Sequence, residues 1–311
     1  MKHTKTAAAL FSAAIMLFCT ACGSGDTSSA AAKDAAAYSA QFKDKIVDFP
    51  PDGYDSKQEG VSYPGWKKYT YYSNTAGRDT DLYVMLPEGY SEDKKYPVLY
   101  LLHGFFGNSK SMTESMWNVS EILTNLQKSG DAKEMIVVSP YLYCSKDEPV
   151  AKKMDPETCL GYDNFVNDLT TDIMPFIEKN FSIAAGRENT AITGFSMGGR
   201  ESLFIGITHP ELFGYVGAAC PAPGIVETQD KYMKHPGQLK PEQMKFDGDK
   251  PYVLFISSSN SDPVVTTAPE SYRKIFTDNG VEYLQHVLEK TGHDQTTVKP
   301  HLYNYFRMLF K

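Results

Sequence analysis

Short apolar runs recur along the chain: Lys68 to Tyr72, Leu82 to Leu86, Val98 to Leu102, Met135 to Ser139, Thr190 to Thr193, Val253 to Ser257 and Tyr283 to Leu288. Each is the length of a strand and is bounded by polar or turn-forming residues. Between the later runs, Met116 to Gln127, Phe165 to Asn180, Gly199 to His209 and Glu270 to Asn279 repeat apolar residues at three- and four-residue spacing, which predicts helices. A final helix is expected to start near His301, after a proline. The first two strands join through a turn at Asn74 to Arg78, and strand and helix alternate thereafter. That order predicts an α/β fold with a mostly parallel central sheet and helices on both faces. The proline- and glycine-rich stretches Pro221 to Gly224 and Pro236 to Pro241 fall between core elements. They are expected to be loops over the carboxyl ends of strands, where such folds place their sites.

The amino terminus departs from this pattern. Lys2 and Lys5 precede an apolar stretch, Ala7 to Phe18, too short to span a bilayer comfortably, and small residues follow. Residues 1–21 are read as a secretory signal. Thr20-Ala21-Cys22-Gly23 resembles a bacterial lipobox, with Cys22 the expected lipidation site and Cys19 standing where leucine is usual. Residues 22–37 hold almost no large apolar side chain and are read as a flexible tether, leaving 38–311 as one catalytic domain. Loss of the two signal lysines moves the formal charge from −7 to −9. No basic stripe with interleaved aromatics is visible, so nucleic acid is not an expected partner, and the membrane is expected to be reached through the lipid anchor only. Beyond Cys22 the cysteines are Cys144, Cys159 and Cys220, whose spacing is not that of a metal site. Outside a reducing cytosol, Cys144 and Cys159 can close a loop worth ~3 kcal/mol, which would leave one thiol over.

The chemistry centres on Gly194-Phe195-Ser196-Met197-Gly198, set between the strand-like Asn189 to Thr193 and the helical Gly199 to His209. A serine on a sharp strand-to-helix turn projects its oxygen clear of the sheet, and glycines two residues either side relieve the crowding. Ser196 is therefore the candidate nucleophile. Its hydroxyl needs an imidazole to accept the proton and an acid to orient that imidazole. Five histidines follow it. His209 lies at a helix end, His286 inside a strand-like run and His301 at the start of the last helix, whereas His293 lies in a loop directly after the last strand. Asp262, in the loop after Val253 to Ser257, is the leading acid; Asp247 and Asp249 precede that strand and would emerge at the wrong end of the sheet. The amide after the nucleophile, Met197, and that of Phe105 in His103-Gly104-Phe105-Phe106-Gly107 are the expected donors to an oxyanion. His103 is expected to pack and bond within its own loop.

The segments LLHGFFGNSKSM, GYDNFVNDLTTDIMPFIEKNFSI, ITGFSMGGRESLFIGITHPELFGYVGAACPAPG, LFISSSNSDPVV and TGHDQTTVKPHLYNYFRML resemble, in order and spacing, carbohydrate esterase family 1. That group includes feruloyl and acetylxylan esterases, with relatives among the esterase D and enterochelin esterase proteins. The resemblance spans about Lys67 to Lys311 and implies an α/β-hydrolase fold, a Ser196, Asp262 and His293 triad, and an oxyanion hole at Phe105 and Met197. It implies neither metal nor cofactor. Phe106, Trp117, Tyr141 and Tyr143 are candidates to face the substrate. Many plant-wall members carry an aromatic where this chain has Gln295 to Val298, and Tyr143 to Tyr162 looks longer than the family needs, long enough to wall a pocket. The expected function is a secreted serine esterase removing feruloyl or acetyl groups from plant polysaccharide. Secretion argues against the cytosolic S-formylglutathione hydrolases. A siderophore esterase or acyltransferase would use the same triad, and a silent surface-binding protein would keep only the scaffold.

Overall fold

The computed structural model describes residues 34–265 and 267–311. The signal, the lipidation candidate Cys22 and most of the tether lie outside the described residues. In chain order the main elements are α1 (Ala35–Ala40), β1 (Trp66–Ser73), β2 (Arg78–Met85), β3 (Val98–Leu102), α2 (Val119–Lys128), β4 (Ile136–Pro140), α3 (Pro156–Asp163), α4 (Phe165–Asp168), α5 (Met174–Asn180), β5 (Thr190–Gly194), α6 (Met197–Thr208), β6 (Tyr215–Ala219), β7 (Thr228–Gln229), β8 (Lys234–His235), β9 (Val253–Ser259), α7 (Ala268–Asp278), β10 (Leu284–Leu288) and α8 (Gln295–Met308). Eight strands form one sheet in the order β1-β2-β4-β3-β5-β6-β9-β10. The pairs β1–β2 and β2–β4 are antiparallel, and every later pair is parallel. This is the α/β-hydrolase architecture.

Alternation along the strands explains the two-faced core. In β3, Val98, Tyr100 and Leu102 face one hydrophobic cluster with Tyr162, Phe165, Leu203 and Phe276, while Leu99 and Leu101 face a second with Ile122, Val298 and Leu302. Such strands are apolar throughout because both faces are covered. The edge strand β10 differs: Leu284, His286 and Leu288 are buried but Gln285 and Val287 are exposed.

The helix expected over 165–180 is one continuous run in which a π turn, Leu169–Ile173, joins α4 to α5. Pro175 in the first turn of α5 has no N–H to return to an earlier carbonyl, so the ladder is already broken there. Just before the π turn, the buried carboxylate of Asp168 accepts from Tyr71 Oη at 2.5 Å and from the Ser73 hydroxyl, fastening the run to β1.

Several expectations need correction. The strand β6 was missing from the apolar runs because Gly217, Ala218 and Ala219 give little hydropathy contrast, although the strand is buried throughout. The 143–162 segment contains α3, capped by Asp155 Oδ1 accepting from the Thr158 amide at 2.8 Å. The segment does border a groove of 740 Å³, but neither Ser196 nor His293 lines it. The last helix starts at Gln295 rather than near His301, capped by Asp294, and carries Pro300 internally. Helix α1 begins inside the stretch read as tether, capped by Asp34. Cys144 and Cys159 are both free and buried, and Cys144 Sγ lies 3.6 Å from Asp168 Oδ2.

Asp168→Ala leaves two buried hydroxyls without their acceptor, which costs about 2–3 kcal/mol and lowers the melting temperature by roughly 6–9 °C. Calorimetry of the variant beside Tyr71→Phe, expected to lose about 1 kcal/mol, checks this; equal melting of Asp168→Ala and wild type would remove the latch.

Candidate active site

Ser196 lies between β5 and α6 at φ 56° and ψ −112°. Left-handed backbone is uncommon for a side chain that is not glycine, and here neighbouring bonds impose it. The Ser196 amide donates to Ala219 O of β6 at 2.9 Å, and its carbonyl accepts from Arg200 N at 2.9 Å and Ala222 N at 3.0 Å. The glycines at 194 and 198 are dictated by close approach. A Cβ at Gly194 would sit 2.6 Å from Leu102 Cβ, and one at Gly198 2.5 Å from Leu102 O. The first turn of α6 therefore lies directly on the end of β3.

Asp262 follows β9, and His293 lies in the loop after β10. The structure brings them together: His293 Nδ1 donates to Asp262 Oδ2 at 2.6 Å, the direction following from the carboxylate being an acceptor only. Oδ1 of the same carboxylate accepts from the amides of Val264 at 2.8 Å and Val265 at 3.1 Å. Burial raises the Asp262 pKa, but its bond to His293, the charge there and the two amides outweigh that and hold the carboxyl below its ordinary value. The two loops are also tied to each other, Ser259 Oγ donating to Thr291 O at 2.6 Å. Phe195, next to the nucleophile, packs its ring 4.5 Å from that of His293. With Nδ1 committed, Nε2 is the nitrogen left to accept a proton.

The loop after β3 is built around a neutral histidine. His103 is fully buried, its Nδ1 donates to Gly104 O at 2.7 Å and its Nε2 accepts from Leu142 N at 3.1 Å. Burial lowers its pKa to about 4. The Phe106 amide donates to Tyr162 Oη at 3.0 Å and that of Gly107 to Gly104 O at 3.1 Å. The Phe105 amide has no acceptor among the described residues, and Met197 opens α6, where an amide has no partner within its helix. Gly104 faces the nucleophile, since a Cβ there would lie 3.4 Å from Ser196 Cβ.

The aromatic candidates divide. Phe106 is 53 % exposed, at φ 61°, and presents its ring at the surface of the loop after β3. Tyr141 is half-buried, stacked on His103. Trp117 and Tyr143 are buried: Trp117 packs on Phe195 and donates to Ser111 O at 2.8 Å, and Tyr143 packs on Tyr162. Both are buried by packing, although Tyr143 also borders the groove beside α3.

Residues given no role in the sequence reading also converge here. Cys220, at φ 46°, places its thiol within 4.8 Å of donor atoms of both Asp262 and His293. Burial first, then the neighbouring Asp262 carboxylate, push the thiol well above its ordinary pKa, so it is protonated. One turn below the nucleophile, the buried Arg200 guanidinium pairs with Asp163 of α3 and lies 3.3 Å from Glu201 Oε1 and 3.3 Å from Met197 Sδ. Burial raises the Glu201 pKa, against the pull of the Arg200 charge. No local motif marks these residues, since each depends on a strand or helix from elsewhere in the chain.

The chain matches the Esterase family model over residues 73–297. A CE1 ferulic acid esterase from Anaeromyces mucronatus, solved with ferulic acid, is 42% identical with a TM-score of 0.82, over 85% of this chain and 97% of that one. An endo-1,4-beta-xylanase/feruloyl esterase of Xylanibacter ruminicola is 32% identical over 171 residues, 51% of this chain and 22% of the relative. Endo-1,4-beta-xylanase Y of Acetivibrio thermocellus is 28% identical over 134 residues, 40% of this chain and 11% of the relative. The chain thus spans well under a third of the length of these two xylanase relatives.

His301, bonded to Thr193 and Ser257, is likewise buried and lowered to about 3 by burial. His103 and His301 take up protons near pH 6.5 when unfolded but only near 4 and 3 when folded. The unfolded chain thus binds more protons below that pH, so their contribution to stability is complete above about 6.5 and is lost as the pH falls from there. Unfolding free energies from urea titrations at decreasing pH are expected to fall by an amount on the order of 2–3 kcal/mol per histidine between pH 7 and 4.5. His301→Gln should shrink that slope; the same slope with the variant would contradict the assignment.

Proposed function

The chain belongs to the Esterase family, in its CE1 branch, and is a carboxylic ester hydrolase; on that premise we propose that Ser196, His293 and Asp262 form its triad and that it releases feruloyl or acetyl groups from plant polysaccharide. The observation that carries the triad is the 2.6 Å bond from His293 Nδ1 to Asp262, in a loop packed against the strained Ser196 elbow.

In this reading Ser196 Oγ attacks the ester carbonyl as its proton passes to His293 Nε2, while Asp262 stabilises the imidazolium that forms. The negative oxygen is met by the amides of Phe105 and Met197, which are oriented before the reaction and need not reorganise. His293 returns the proton to the leaving alcohol, and the alkoxide departs as a sugar hydroxyl. Water, activated by the same imidazole, then releases the acid and regenerates Ser196. The arrangement asks for no metal or cofactor. The likeness to a ferulic acid esterase and to a xylanase/feruloyl esterase supports the acyl group and the polysaccharide. The exposed ring of Phe106, at the edge of the oxyanion loop, fits an aromatic acyl group or the face of a sugar. Secretion completes the reading: residues 1–21 are removed and Cys22 takes lipid, so that the enzyme works on a tether at the outer face of a bacterial membrane.

Hydrolysis of methyl ferulate, p-nitrophenyl acetate and acetylated xylan by the chain lacking residues 1–21 tests the substrate. Cleavage of ferulate or acetylated xylan is expected, with Ser196→Ala slower by about 10⁴-fold or more; cleavage of the activated acetate alone would leave the esterase and remove the polysaccharide. For the anchor, the mass of the mature amino terminus after expression with its signal should equal that of a chain starting at lipid-bearing Cys22. An unmodified terminus would make the protein simply secreted.

A further inference from the structure

The other buried arginine of the site region, Arg200, has Asp163 as its counter-ion. Arg273 has none. It lies on α7, only 9 % exposed, and its Nη1 donates to Ser258 Oγ at 2.9 Å. Among the described residues no carboxylate stands within ion-pairing reach of it. A guanidinium offers five N–H donors in a planar fork, so most of its capacity is unspent. Burial works against its charge and lowers its pKa, yet the group stays protonated at any ordinary pH. Its unspent N–H groups are not among the sealed polar atoms of the described residues and so open onto solvent, where an anion can join them.

Arg273 borders a groove of 700 Å³ between α7 and the exposed face of β10. Ser259, Asn260 and Gln285 supply further polar groups to its wall, and Tyr283 and Val287 an apolar side. The other charged groups of the wall are otherwise engaged. Asp262 is bonded to His293, Val264 and Val265; Lys274 pairs with Asp278 at 2.6 Å; Glu270 is exposed to water and favours the Arg273 charge only from beyond ion-pairing distance.

We propose that this groove is a carboxylate-binding site anchored by Arg273, taking an organic acid whose body lies along Tyr283 and Val287. A carboxylate matches the guanidinium fork in two parallel hydrogen bonds, which a monatomic anion does not. The acid would come either free in solution or as a uronic acid on a polysaccharide, and it would lie behind the loop that carries Asp262. The site is separate from Ser196 and does not rest on the esterase reading.

The full chain is melted in increasing sodium glucuronate and, at equal ionic strength, in sodium chloride. Glucuronate is expected to raise the melting temperature along a saturating curve, by about 3 °C near saturation, and chloride is not. Arg273→Gln is expected to lose the glucuronate response. Gln285→Glu, on the exposed edge strand, supplies the missing carboxylate within the chain; it should melt above wild type in chloride and also lose the response. Equal rises in both salts, or a glucuronate response that survives in Gln285→Glu, would overturn the site, and this second variant decides the matter if Arg273→Gln does not fold. A uronic-acid-bearing oligosaccharide in place of glucuronate identifies the source: a response at lower concentration points to the polymer, an equal one to the free acid.

Discussion

The site depends on one steric constraint, the contact between the first turn of α6 and the end of β3. Leu102 leaves room at Gly194 and Gly198 for backbone alone. That closeness forces the chain through a sharp turn at Ser196, with φ 56° and ψ −112°, and so lifts the hydroxyl clear of the sheet. The strain is offset by bonds on both sides: Phe195 N to Leu102 O at 3.0 Å, and Ser196 N to Ala219 O at 2.9 Å. Ser196 is thereby held by two neighbouring strands, β3 and β6, rather than by its own loop.

The remaining groups are arranged around that fixed point by elements that leave the sheet at its carboxyl end. β3 leads to the Phe105 loop, β9 to Asp262 and β10 to His293. These loops are tied to neighbouring elements as well as within themselves, Thr291 to Ser259 at the end of β9 and Phe106 to Tyr162 of α3. In the proposed mechanism, pre-ordering of this kind lets fixed amide dipoles act on developing charge without a reorganisation cost at the moment of reaction.

Buried charge is handled unevenly across the molecule. Asp262 is satisfied on both oxygens, and His103 and His301 are kept neutral by burial with a partner at each nitrogen. Arg200 is neutralised by Asp163, which also ties the inserted α3 to the nucleophile's helix. Asp168 uses hydroxyls in place of a cation. Against this background the solitary Arg273 stands apart, and it lies in a groove rather than in closed core.

Much of this was legible in the chain itself. Runs such as Val98 to Leu102, the pentapeptide around Ser196, and the positions of Asp262 and His293 after strands are local patterns, and local backbone sterics and hydrophobic periodicity act on neighbours in sequence. The expectation that His103 serves its own loop holds for the same reason, since one of its two bonds is to the adjacent residue. What escaped the sequence is decided by residues far apart. β6 is a strand because β5 and β9 flank it, Trp117 and Tyr143 are buried because other segments close over them, and Cys144 and Cys159 remain free thiols in the packed core. Cys220 and Arg273 carry no motif at all. Their meaning lies in a carboxylate that is close to one and, among the described residues, beyond ion-pairing distance of the other, and such distances exist only once the chain has folded.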